Sequence, residues 1–256
     1  MKKLILVVLD GLNNTAALEK MGFMKHLEEL NIAKREIVTA SLPTLSRPLY
    51  ETILTGKEPY EHGILHNDIV RKSKEISIFH KADKAGLTTA AAAYYWISEL
   101  YMNVPFNPKK DRIQLKKAAP IHYGIYYSED QYPDSHLFQD AQFLVDEFQP
   151  DFLLIHPMNI DYYGHLYGSH SEEYGLSARK ADVILSGYSP NWLKEGYDIV
   201  VTADHGMNTD KSHGGGLDDE RKVPLWYLKS DMKKEFPILP TKQTDVFSLT
   251  CKQLGL

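Results

Sequence analysis

The stretch Ile199-Val200-Val201-Thr202-Ala203-Asp204-His205-Gly206 constrains the fold of this chain more than any other. Such an apolar run reads as a strand buried on both faces of a parallel sheet. It ends in an acid, an imidazole and a glycine, and open α/β sheets bind ligands beyond the carboxyl ends of their strands. The shape recurs twice. Leu4 to Leu9 runs into Asp10-Gly11, and Phe152 to Ile155 precedes Asp161 and His165.

Between these runs lie helical and further strand signals. Leu18, Met21, Met24, Leu27 and Leu30 keep helical spacing and predict one helix over Thr15–Ile32. Helices are also expected over Leu49–Leu54, His80–Ala85, Asp134–Phe148, Ser171–Leu185 and Asp245–Leu254, with a separate turn at Pro190–Lys194. Glu36–Thr39, Ile76–Phe79, Thr88–Ala93 and Val223–Leu228 read as strands. Strands alternating with helices predict an α/β fold, a mostly parallel sheet sandwiched between helices, over residues 1–256 as one domain. The pattern weakens between about residues 96 and 131, which reads either as a small cap or as irregular surface. There Trp96, Tyr123, Tyr126 and Tyr127 either line a stacking pocket or pack a core.

Composition narrows the function. A net charge of -5 without a Lys/Arg-rich tract argues against a nucleic-acid polymer as partner. The apolar run after Lys2-Lys3 stops at Asp10, short of the roughly 7–15 residues of a secretory h-region. No run approaches the roughly 18 apolar residues of a membrane span. The single Cys251 excludes a disulfide within this chain and fits a reducing cytoplasm, the expected location. Oligomeric state is left open.

The polar residues at the strand ends suit a metal centre. Asp161 and His165, four apart, can be aimed together by one helical turn or a tight loop. Adjacent Asp204 and His205 diverge only on a loop. His213 precedes Gly214-Gly215-Gly216, which lets a loop fold closely over a site. With Asp10 the set has three carboxylates and three imidazoles. Oxygen and nitrogen donors without thiolate suit zinc, with manganese or iron as alternatives. Three carboxylates over-neutralise one dication, whereas two dications leave a slight positive charge that welcomes an anionic substrate. Taken singly, Asp10-Gly11 also reads as a turn and Asp161 as a helix cap. His156, inside its apolar run, reads as a core histidine, and His62, His66 and His170 are rival ligands.

These residues sit in a pattern that resembles the alkaline phosphatase superfamily, specifically its type I phosphodiesterase/nucleotide pyrophosphatase branch. The resemblance runs through Leu4–Gly11, Leu42-Pro43-Thr44-Leu45-Ser46-Arg47-Pro48, Thr55-Gly56, His62-Gly63-Ile64, Asp161–Gly168, Thr202–Met207 and Gln243–Gly255. It implies an alkaline phosphatase-like fold with two divalent metals, one held by Asp161, His165 and His213, the other by Asp10, Ser46, Asp204 and His205. It makes Ser46 the nucleophile, with Thr55-Gly56 at the matching distance, and implies in-line attack on a small organic phosphate through a phosphoseryl intermediate.

One departure stands out. Nucleotide-hydrolysing members carry Asn three residues after the nucleophile and often His next; here Leu49 and Tyr50 occupy these positions. An apolar Leu49 cannot donate to a phosphoryl oxygen, and loss of such a donor costs on the order of 10²–10³ in rate. Arg47, Asn13 and Asn14 are the candidate replacements. Arg47, Leu49 and Tyr50 are the expected substrate-binding group.

A C/S-x-P-x-R sulfatase pattern is absent around Ser46, and no G-x-G-x-x-G follows the first strand. The superfamily's phosphomutases carry an inserted domain for which this chain has little room. The alternatives to a diesterase are a phosphomonoesterase or phosphonate hydrolase on the same core, or a non-catalytic metal- or anion-binding member.

Overall fold

The computed structural model describes residues 2–256. One eight-stranded sheet runs through the molecule. Its strands are β1 (Lys3–Val8), β2 (Ala33–Thr39), β3 (Thr89–Tyr94), β4 (Ile113–Gln114), β5 (Tyr123–Tyr127), β6 (Phe152–Ile155), β7 (Tyr197–Thr202) and β8 (Lys222–Leu228). They lie in the order β2-β8-β7-β1-β6-β3-β5-β4. The five central strands, β7 to β5, are mutually parallel, while β8 and β4 run antiparallel to their neighbours. All six residues of β7 are buried, as are those of β3 and β6, with helices packed on both faces of the sheet. The expected mostly parallel α/β sandwich is therefore the observed fold.

Register explains why distant segments meet. Leu6 pairs with Leu154 on one side and with Val200 on the other. Strands β6, β1 and β7 thus end side by side, and the residues that follow them, from His156, Asp10 and Ala203 onward, emerge along one edge.

The stretch around residues 96–131 is not a separate cap. Its β5 extends the parallel sheet and its β4 closes the edge. Tyr126 and Tyr127 are buried in the core and Tyr123 stacks on Phe148 at 3.7 Å.

Three local expectations are corrected. The long first helix is two helices, Asn14–Lys20 and Gly22–Glu29, broken at Met21. The break is stabilised from afar, since the Asp182 carboxylate accepts from the Phe23 and Met24 amides at 2.8 and 3.1 Å. Residues 76–79 form no strand; Ser77 caps a helix over Ile78–Lys84 by exchanging hydrogen bonds with His80. The helix after Ser171 runs from Glu172 to Lys194, straight through Pro190. Trp192, fully buried and stacked near Phe138 and Tyr188, outweighs the local break that proline imposes. Among the described residues, no helix is long and apolar enough to cross a membrane.

The helix Asp134–Phe148 is locked to the helix Asn159–Tyr167 by a reciprocal pair. The Asp134 amide donates to Asn159 Oδ1 at 3.1 Å, and the Asn159 amide donates to Asp134 Oδ1 at 3.3 Å. Burial lifts the Asp134 carboxyl to about 7, against the lowering effect of hydrogen bonds from the Asn159 and Met158 amides. A raised carboxyl binds a proton in the folded state where the unfolded state has lost it. This stabilisation is full below the ordinary value of 3.8 and is lost as pH rises through about 7. Asp134→Asn, which keeps the oxygen acceptor, is expected to flatten the fall in Tm between pH 4 and 8, an effect on the order of 4 kcal/mol. Thermal melts across that range check it.

Candidate metal centre

Each element delivers its polar residue at the same edge. Asp10 follows β1 and is fully buried. Gly11 after it has φ +75°, and a Cβ there would lie 2.7 Å from the Asp161 Cα. The glycine is thus needed for the helix carrying Asp161 and His165 to approach β1. Asp204 and His205 follow β7 and are fully buried. Ser46 is the first residue of the helix Ser46–Thr55, which begins three residues earlier than expected and places the hydroxyl at the positive end of the helix dipole.

His213 is brought in by its loop. Its Nδ1 donates to the Thr44 carbonyl at 2.7 Å, the Gly214 amide donates to Thr44 Oγ1 at 2.9 Å, and that hydroxyl donates to the Gly215 carbonyl. The glycine loop is therefore latched two residues before Ser46. The rival histidines lie elsewhere. His62 bonds Thr52, His66 pairs with Asp68 on the surface, and His170 is exposed.

The predicted ligands converge. Ser46 Oγ lies 3.0 Å from His205 Nε2, which is 3.3 Å from Asp204 Oδ2 and 3.5 Å from Asp10 Oδ1. His165 Nε2 is 3.0 Å from His213 Nε2 and 3.4 Å from Asp161 Oδ2. The rings of His205 and His213 stack at 3.7 Å and join the two clusters. Ligand atoms of Asp10, Asp204 and His205, and of Asp161, His205 and His213, lie within 4.8 Å of one another in each group.

Hydrogen bonding at the far side of each group tests whether this set fits a cation. The three imidazoles all use Nδ1 on a backbone carbonyl: His205 on Gly206, His165 on Lys211 and His213 on Thr44. Donation from Nδ1 leaves each Nε2 as a lone pair facing the cluster. Each carboxylate also leaves one buried oxygen without a partner: Asp10 Oδ1, Asp161 Oδ1 and Asp204 Oδ2. Buried acceptors facing one another without donors are costly. A cation satisfies them together, so the residues fit divalent metals.

Ionisation follows the same logic. Burial holds the imidazole of His205 below its ordinary range, and burial with the neighbouring His205 charge takes His213 down to about 3, so both are neutral at working pH. Burial and the charge of Asp10 push the Asp161 and Asp204 carboxyls up. Asp10 itself is held at about 2: burial raises it, and the hydrogen bond from His156 with the electrostatic pull of the His205 and His156 rings outweighs burial.

The expected substrate-binding group is corrected. Arg47 is buried, with Nη2 on Glu99 at 2.8 Å and its guanidinium over Trp96 at 4.5 Å. It is a structural ion pair. Arg47→Ala strands Glu99 in the interior and is expected to lower unfolding stability by about 3–5 kcal/mol, read from urea denaturation. Leu49 is fully buried. Tyr50 turns its hydroxyl onto Asp10 Oδ2. Asn13 caps a helix through Ala16 and donates its amide to the Met207 carbonyl, so it does not replace the missing donor; Asn14 accepts from Arg35 through Oδ1.

Two residues escape the reading of the sequence. Asn67, on the loop after Gly63, accepts through Oδ1 from the Arg47 amide at 3.1 Å, which puts a side-chain amide beside the residue after Ser46. No periodicity marks it. His156 is no ordinary core histidine, because its Nε2 donates to Asp10 Oδ2 at 3.0 Å. The signal was the one that marked Asp10: a polar residue ending an apolar strand.

Comparison with known proteins agrees with this geometry. An inactive variant of murine ectonucleotide pyrophosphatase/phosphodiesterase 5, in complex with AMP, superposes with a TM-score of 0.75 at 16% identity, covering 100% of this chain and 96% of that one. Phosphonoacetate hydrolase from Sinorhizobium meliloti superposes with a TM-score of 0.58 at 22% identity, covering 80% of this chain and 56% of that one. Human GPI ethanolamine phosphate transferase 2, catalytic subunit, is 20% identical over 99% of this chain, which spans 26% of that protein. Bovine ectonucleotide pyrophosphatase/phosphodiesterase family member 3 is 26% identical over 65% of this chain, which spans 20% of it. The family model for type I phosphodiesterase/nucleotide pyrophosphatase matches residues 4–219, which include Ser46 and all six Asp and His residues of the cluster. The chain belongs to the type I phosphodiesterase/nucleotide pyrophosphatase family, on an alkaline phosphatase-like fold.

Proposed function

We propose that the protein is a phosphoric-diester hydrolase dependent on two divalent metals, with Ser46 as nucleophile and a small organic phosphate as substrate. The observation that carries this reading is the convergence of three imidazole lone pairs and three unpartnered carboxylate oxygens on one cluster, buried apart from the exposed His165, that faces Ser46 Oγ. Asp10, Asp204, His205 and Ser46 would hold one metal, and Asp161, His165 and His213 the other. The nitrogen and oxygen donor set favours zinc, with manganese or iron next. When bound, the dications lower the pKa of the serine hydroxyl and neutralise charge on the phosphoryl oxygens and leaving group.

The chain's own residues supply the rest. The helix Ser46–Thr55 presents Oγ at its N-terminus, where the dipole favours an oxyanion. Ser46 Oγ forms its bond to phosphorus as the bond to the leaving alcohol oxygen breaks. Water then attacks the phosphoserine and returns Oγ to the enzyme. The Thr44 latch keeps His213 in place through both steps.

Turnover of nitrophenyl diesters against monoesters and phosphonates, by metal-stripped protein with zinc or manganese restored, tests the substrate class. Diester preference supports the reading; exclusive monoester or phosphonate turnover replaces it with the alternative hydrolases on the same core. A second reading, transfer to an alcohol instead of water, is favoured by the match of almost the whole chain to an ethanolamine phosphate transferase. Partition of product toward an added alcohol, measured in the same assay, separates the two.

A further inference from the structure

We infer that His156 and Tyr50 are positioning residues, forming a two-donor clamp that decides which oxygen of Asp10 faces the metal centre. This rests on the two-metal reading above and goes beyond it by assigning roles outside the ligand set. The Asp10 Oδ2 atom takes both donors, His156 Nε2 at 3.0 Å and the Tyr50 hydroxyl. Its Oδ1 has no partner and lies toward His205 Nε2 at 3.5 Å. The two other cluster carboxylates are anchored differently. Asp204 Oδ1 takes the Gly11 amide at 3.3 Å, and Asp161 Oδ2 lies against His165. Only Asp10 among them is oriented by side chains outside the cluster.

The clamp is itself held. The Tyr127 hydroxyl donates to the His156 carbonyl at 2.8 Å, and the His156 amide donates to the Ala92 carbonyl of β3 at 3.0 Å. The His156 ring packs edge-on against Tyr50 with centroids 4.4 Å apart. His156 is 1% exposed and Tyr50 2% exposed, so bulk water does not reach the pair to replace a lost donor. A strand end that needed only packing would favour an apolar side chain, because a buried imidazole is costly unless bonded. A carboxylate held by such donors offers one preset oxygen to a metal, whereas a free one must be ordered on binding; loss of outer partners of this kind weakens metal affinity about 10–100-fold.

The test measures zinc affinity of the full chain by chelator competition, and visible spectra after cobalt substitution, with no need for turnover. Wild-type protein is expected to bind two metals. His156→Ala and Tyr50→Phe, the latter keeping its ring, are expected to weaken one site about 10–100-fold and leave the other unchanged. The weakened site is the one lost in Asp204→Asn and kept in Asp161→Asn. His156→Gln, which retains an N–H donor, is expected to recover most of the loss, and the cobalt spectrum is expected to change for that site alone. Wild-type affinity at both sites in both variants overturns the clamp, as does equal weakening of both sites with a lowered Tm, which marks general structural damage. Fewer than two metals in the wild-type protein overturns the two-metal reading itself, and the clamp with it.

Discussion

Ser46→Ala is expected to reduce turnover of a phosphodiester by at least about 10³-fold while much of the metal binding is retained, because it removes the bond-forming atom and little else. Ser46 Oγ touches the cluster at 3.0 Å from His205 Nε2, whereas the Tyr50 hydroxyl is engaged on Asp10 Oδ2. Thr44, two residues away, offers no substitute. Its hydroxyl is fully buried and engaged with Gly214 and Gly215. The substitution deletes a single oxygen from a side chain already 95% buried, so the helix it begins is expected to stay in place. Acid-quenched reactions with a labelled phosphoryl group are expected to trap phosphoprotein in the wild type and none in the variant. Undiminished turnover in the variant would remove Ser46 from the mechanism.

Removal of metal is expected to abolish activity and to lower stability together, and restored zinc to recover both. The physical cause is the charge at the cluster. Asp161 and Asp204 are pushed up by burial and by Asp10, so in metal-free protein they resist ionisation. The sign follows from linkage. In metal-free protein these two carboxyls contribute stability that is present below their ordinary value of 3.8 and lost as pH rises through their raised values. A dication reverses the preference by stabilising the ionised form. Metal at 100 times its dissociation constant adds about 2.7 kcal/mol. Thermal melts of stripped and reloaded protein, at acid and neutral pH, are expected to diverge more at neutral pH. Equal melts at both pH values would show that these carboxylates bind nothing.

Much of this was legible in the sequence because the centre is built at strand ends. A hydrophobic run of four to six residues that stops on Asp or His marks both the strand and the polar residue it delivers. That is how Asp10, Asp204 and His205 come out of the chain unaided. The adjacency of β6, β1 and β7 is a consequence of their parallel pairing. What stayed hidden depends on contacts far apart in sequence. Nothing local shows that Asp182 caps a helix beginning near Met21, or that Trp192 carries a helix through Pro190. Arg47 beside a nucleophile invites a substrate role, and only Glu99, half a hundred residues on, reveals the buried pair. The stretch 96–131 carries a weak pattern because β5 is short and the two-residue edge strand β4 exists only through its pairing with β5. The His156 ring is packed in the core, as its place in an apolar run implies, and what no local pattern shows is the hydrogen bond from its Nε2 to Asp10.

The most direct test is a crystal structure of zinc-loaded protein with vanadate, read by anomalous diffraction at the zinc edge. Two peaks are expected, one among Asp10, Ser46, Asp204 and His205 and one among Asp161, His165 and His213, with vanadium bonded to Ser46 Oγ. A single peak, none, or metal at His62, His66 or His170 would contradict the two-metal centre.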